Sequence, residues 1–308
     1  MPSASEIREQ VGQETERRMR LAVPAFAGGI LYMLSGIISA SVANSAPAVG
    51  PLQGLQPALS GEANPAISPR TAEVKYDSHH ALSLIAGSVI AAIAIAALTL
   101  VLLLLADASR FRRPASWAAA RPLTIVGGAF LVLASIAHQV VLAIQTHEFA
   151  VGHDFSNRAA DHALTTGTAI VIPEYFALIG GVALAAGMIA IVLNAMRVGL
   201  ITRWVGVLGI FTGILIFVPL GGATLGVVPA FWLVAMGILY IGKWPNGQPP
   251  AWETGEARPW PSRAQMRAEA AAGKGQPALA TGAGDVTPAP KRPAVGSSRK
   301  RRRKGRGG

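Results

Sequence analysis

The chain contains no cysteine. Disulfides, thiolate zinc centres, iron–sulfur clusters and thiol nucleophiles are therefore excluded, because each needs the Cys sulfur. By itself this fixes no compartment. Charge is the second scarcity, with 14% of residues Asp, Glu, Lys or Arg, against roughly 25% in soluble domains. Catalytic signatures are missing as well. No G-x-S-x-G elbow, P-loop, dinucleotide-binding glycine run or HExxH occurs. The balance leans away from an enzyme, although residues scattered through a membrane would carry no such motif. No cofactor is expected.

What is present is apolar, 51% of the chain, and it is gathered into long runs. A hydrocarbon core about 30 Å thick needs about 20 helical residues. The runs predict an all-α, polytopic transmembrane bundle of six spans, at about 21–43, 82–106, 123–144, 170–194, 204–219 and 225–242. The last two are nearly continuous. As one helix Trp204 to Gly242 would run roughly 58 Å, about twice the bilayer, so the turn residues Pro219-Leu220-Gly221-Gly222 are expected to fold it back.

Lys and Arg set the orientation. Alternate connections, the outer loops 44–80 and 146–169 among them, hold only Arg70, Lys75 and Arg158, leaving the other 24 of the 27 basic residues on the opposite side. Both termini are expected in the cytoplasm, with the protein in a bacterial cytoplasmic membrane. Ser41-Val42-Ala43 resembles a signal-peptidase site. The run before it exceeds the 7–15 or so residues of a signal peptide core, so retention as a first span is the expectation. Residues 1–20, opening on Ser3-x-x-Glu6, read as a charged capped helix at the cytoplasmic surface. The Gly-Gly pairs at 28–29, 127–128 and 180–181 and the Gly209-x-x-x-Gly213 spacing read as helix-packing contacts.

The histidines and most outer acids cluster. HEFAVGHDFSNRAADH, residues 147–162, carries His147, His153 and His162, and His79 and His80 stand at the mouth of the second span. Imidazoles and carboxylates are zinc or copper ligands, but no two loop histidines have the i, i+4 spacing of a single helical face. No metal site is assigned; a polar loop is the simpler reading. Within it Ser156 is expected to cap a short helix, with Asp154–Arg158 and Arg158–Asp161 as ion pairs. His138 and Glu174 lie deeper, at similar depths in the consecutive third and fourth spans, and form a candidate intramembrane pair for a proton or cation.

From Lys243 the character changes. Residues 243–272 are rich in Trp and Pro, with Trp244, Trp252 and Trp260 eight apart. Residues 273–308 have the composition of a disordered tail and end on the basic run Arg299, Lys300, Arg301, Arg302, Arg303, Lys304. Each such charge gains about 1 kcal/mol near an anionic leaflet. The expected partners are the bilayer, anionic headgroups and a protein. Nucleic acid is not favoured, since no aromatics interleave with the basic run to stack bases. Oligomeric state is not legible.

The stretches NAMRVGLITRWVGVLGIFTG and WLVAMGILYIGKWPNGQPPAWETGEARPWPS resemble a group of uncharacterised actinobacterial multi-pass membrane proteins, related to a membrane family of unknown function. The similarity spans mainly 170–262, with an echo in the NRAAD segment at 157–161. It implies a helical bundle in the cytoplasmic membrane and transfers no activity. The first functional expectation is a non-enzymatic component binding a protein or anionic lipid through its tail. The alternative is a small transporter or ion-binding protein using His138 and Glu174, and the third is an extracytoplasmic metal-binding protein.

Overall fold

The computed structural model describes residues 4–47, 59–60, 68–114, 117–217, 226–245 and 247–259. The chain divides after Trp260, and all described residues belong to the first part. They are helical, with no strand among them. In chain order the helices are α1 (Ala4–Ser45), α2 (Thr71–Arg112), α3 (Ala120–Val151), α4 (Asn157–Asp161), a π-helical turn (His162–Thr166), α5 (Thr168–Val198), α6 (Arg203–Phe217), α7 (Val227–Tyr240) and α8 (Pro250–Thr254).

Four segments are long and apolar enough to cross a bilayer: Ser5–Ser45, Thr71–Arg112, Ala120–Val151 and Asn157–Val198. Four of the six expected spans thus fall on helices of full spanning length. α6 and α7, of 15 and 14 residues, reach roughly 22 and 21 Å, short of the hydrocarbon thickness. The turn expected at 219–222 lies outside the described residues.

Neighbouring helices run antiparallel, and glycines set how closely they approach. Tyr76 Oη donates to Val42 O at one end of α1 and α2, and Arg112 pairs with Glu14 at the other. On α3, a Cβ at Gly127 would collide with the backbone of Leu184 on α5, and one at Gly187 with Thr124. Gly181 faces Ile216 while Gly206 faces Met196, which reverses α6 against α5. Gly226 faces Tyr32 while Gly237 faces Phe26, so α7 descends beside the rising α1.

The central core is built of Leu98, Leu102 and Leu105 of α2, Leu184, Met188 and Ile191 of α5, and Trp232 and Tyr240 of α7. Its polar atoms are satisfied internally, as a low-dielectric interior demands. Trp232 Nε1 donates to Val205 O at 3.1 Å, and Tyr240 Oη to Val101 O at 3.0 Å. Gly199 ends α5 with a positive φ of 82°. The carbonyl of Arg258 occupies the space of its missing Cβ, and Arg258 N donates to Val198 O.

Several boundaries differ from the hydropathy reading. Residues 4–20 are not a separate surface helix: they continue without a break into the first apolar run as α1. Ser3 of the expected capping box lies outside the described residues. α2 begins at Thr71 and α3 continues to Val151, so helix extends into both of the loops expected at 44–80 and 146–169. Hydropathy marks only the stretch that faces lipid, whereas backbone bonding continues past it into the polar zone.

Those extensions meet in a small second core of Val74, Phe149, Ala160 and Ala163. Ser156 caps α4, its Oγ accepting from Ala159 N. The two expected ion pairs of Arg158 do not form. Asp154 lies before the helix and accepts from Ser156 N at 2.9 Å, and Asp161 turns to Arg70 at 3.7 Å. The i, i+4 relation of Asp154 to Arg158 requires helix across both, and α4 starts only at Asn157.

Candidate functional site

A cavity of about 430 Å³ opens between α1, α2, α3 and α5, in the half of the bundle that carries the histidines. It is large enough to admit water or a small solute. His138 and Glu174 both line it. No hydrogen bond or ion pair joins them; they face the same space from neighbouring helices.

Other polar walls were not anticipated from sequence. Ser35 and Ser39 come from α1, Ser88 from α2, and Ser135 and Gln139 from α3. Ser35, Ser88 and Ser135 donate their protons backwards to Tyr32 O, Ile85 O and Val132 O, at 3.2, 2.8 and 3.0 Å. With its proton so used, a hydroxyl offers only lone pairs to the cavity. Gln139 Oε1 is buried with no partner. Together with the Glu174 carboxylate the lining is therefore rich in acceptors. A signal was present in the sequence: Ser135, His138 and Gln139 fall on one face at i, i+3 and i, i+4, as do Ser35 and Ser39.

His79, His80, His147, His153 and His162 are not brought together. His79 and His80 each bond back along α2 through Nδ1, to Lys75 O at 2.6 Å and Tyr76 O at 2.9 Å, and His80 stacks on Tyr76 with centroids 4.0 Å apart. His147, His153 and His162 are exposed. Among the described residues no group of three or more His, Asp or Glu is placed to hold a metal. In the same region burial, with the nearby Glu73 adding to it, holds the Asp77 carboxyl above the usual carboxylate range.

The opposite end is closed by a clamp that sequence reading missed. Arg112, fully buried, uses all its guanidinium hydrogens: two bonds to the Glu14 carboxylate at 3.0 and 2.7 Å, two to Ala251 O and one to Ala108 O. Trp252 of α8 is 2% exposed, donates to Leu200 O at 2.7 Å, and packs beside the guanidinium groups of Arg18 and Arg112. Burial lowers the Arg18 pKa, with Tyr240, Glu14 and Glu253 acting the other way. Trp252 is thus a core residue and not an exposed tail epitope. A Trp placed among prolines after the last apolar run gave no hint that a one-turn helix would fold it back. Trp244 is half-buried against the same core. Trp260 and the basic run Arg299 to Lys304 lie outside the described residues. In comparison with known proteins, the chain matches no family model, no curated protein and no solved structure.

Proposed function

We propose that the chain is a six-pass protein of a bacterial cytoplasmic membrane, both termini inside, that binds a small cation or proton in the outer cavity as a transporter or ion-binding component. The observation that carries this reading is the acceptor-rich lining, with one carboxylate, an unpartnered amide oxygen and serine lone pairs around a space of about 430 Å³. The Glu174 carboxylate and these spare lone pairs favour a positive or proton-bearing solute. Ionisable groups at membrane depth are costly unless they serve such a path. Six passes are supported by the alternating directions of α5, α6 and α7, with local bilayer thinning accommodating the two short helices. The basic-residue asymmetry supports the orientation.

The earlier expectation of a partner- or lipid-binding tail keeps Trp260 and the run from Arg299 to Lys304 but not Trp252. Proteoliposomes carrying a pH-sensitive dye, with Na⁺ or K⁺ gradients, test the cavity reading. Wild-type protein is expected to dissipate a proton or cation gradient, and H138A/E174Q to lose that flux. Equal flux from both proteins would overturn the role of the cavity.

A further inference from the structure

At the basic end of the bundle lies a second cleft of about 420 Å³, lined by Arg113, Trp117, Ala190, Leu193, Asn194 and Arg197. It lies between the short connection from α2 to α3 and the last turns of α5. We infer that this cleft binds a phosphate-type oxyanion, namely the headgroup of an anionic phospholipid.

Two guanidinium groups supply the charge and the forked donors that suit a phosphate. Neither Arg113 nor Arg197 has an acidic partner among the described residues, and Asp107, close by on α2, is taken by Arg121 at 2.9 Å. Asn194 stands one turn before Arg197 on the same face. It is 9% exposed, and its amide has no hydrogen-bond partner among the described residues. That amide lines the cleft beside the arginines. A narrow recess sharing Trp117 and Asn194 continues inward to Ser109, whose Oγ is buried and also unpartnered. The same recess reaches the first turn of α3, where the positive end of the helix dipole lies, although Ala120 N is already bonded to Trp117 O.

One opposing effect has to be weighed. The carbonyl ends of α2 and α5 also point to this region, and each is equivalent to about half a negative charge. Two full arginine charges, with the amide end of α3 beside them, outweigh that. The remaining walls select the source of the phosphate. Leu193 and Ala190 are apolar, and Trp117 is 51% exposed, as an indole at the membrane interface should be. A free phosphate makes no use of such walls, whereas a lipid places its glycerol and acyl chains along them.

The test is native mass spectrometry of the delipidated full chain, titrated with phosphatidylglycerol, phosphatidylcholine or inorganic phosphate. Wild type is expected to retain phosphatidylglycerol in preference to phosphatidylcholine. R113Q/R197Q should bind it at least about tenfold more weakly, with the basic tail common to both proteins. An unchanged thermal midpoint of the lipid-free variant shows that it folds. R113Q alone, at an exposed position, carries the same expectation at smaller size. Equal retention by wild type and variants, or equal retention of the two lipids, overturns the site. Displacement by inorganic phosphate at equal concentration keeps the oxyanion chemistry but overturns the lipid as its source.

Discussion

Glu14 shows how much one residue carries here. Its carboxylate is the only charged partner of Arg112 among the described residues, and the Arg112 side chain has no exposed surface. Removing one member of a buried pair strands the other, at about 3–5 kcal/mol. Glu14→Ala should therefore lower the thermal midpoint of the detergent-solubilised protein sharply, while replacing both residues by Leu and Met should cost less. A double-variant loss equal to the sum of the two single-variant losses would mean that the pair is not coupled. Asp77 offers a pH-dependent counterpart. Its folded pKa is raised, so the folded state holds the proton more tightly than the unfolded chain does. That contribution is present below the ordinary carboxylate range and is lost as pH rises through the raised value. The protection of residues 71–81 against hydrogen exchange, taken relative to the intrinsic rate at each pH, should fall across that rise, and Asp77→Asn should flatten the dependence.

Among the elements, α3 and α5 depend on backbone approach. A methyl group at Gly127 would collide with the backbone of Leu184, whereas one at Gly181 would only touch Ile216 O at 3.4 Å. Lipid offers no hydrophobic drive to compensate for lost packing. Gly127→Ala should lower the melting temperature in detergent clearly, and Gly181→Ala by little. The reverse order would contradict the α3–α5 interface. The glycine pairs were legible in the sequence as packing sites. Which helix each pair meets was not, because sequence carries the small residue and not its partner.

For the whole molecule the lack of cysteine becomes an experimental advantage. A single thiol introduced at the exposed Asn157, as Asn157→Cys, should react with an impermeant maleimide added to intact cells if the proposed orientation holds. Lys243→Cys should react only after the membrane is opened. Labelling of both from one side would break the six-pass reading. The alternation of antiparallel helices places the histidine-bearing cavity at one end and the Arg112 clamp at the other, with core packing between them.

Composition and run length determined by themselves that this chain forms apolar helices, because a bilayer-length segment must satisfy its backbone internally. The uneven distribution of Lys and Arg likewise produced an expected orientation without reference to any contact. The depth of His138 and Glu174 could be counted along their helices. Only the tertiary structure decided that four segments have full spanning length, that Trp252 turns inward, and that serines from three helices join His138, Gln139 and Glu174 around one space. Those outcomes depend on how helices rotate about their own axes and which faces meet. That choice is made by contacts between residues far apart in the chain, which no local pattern records.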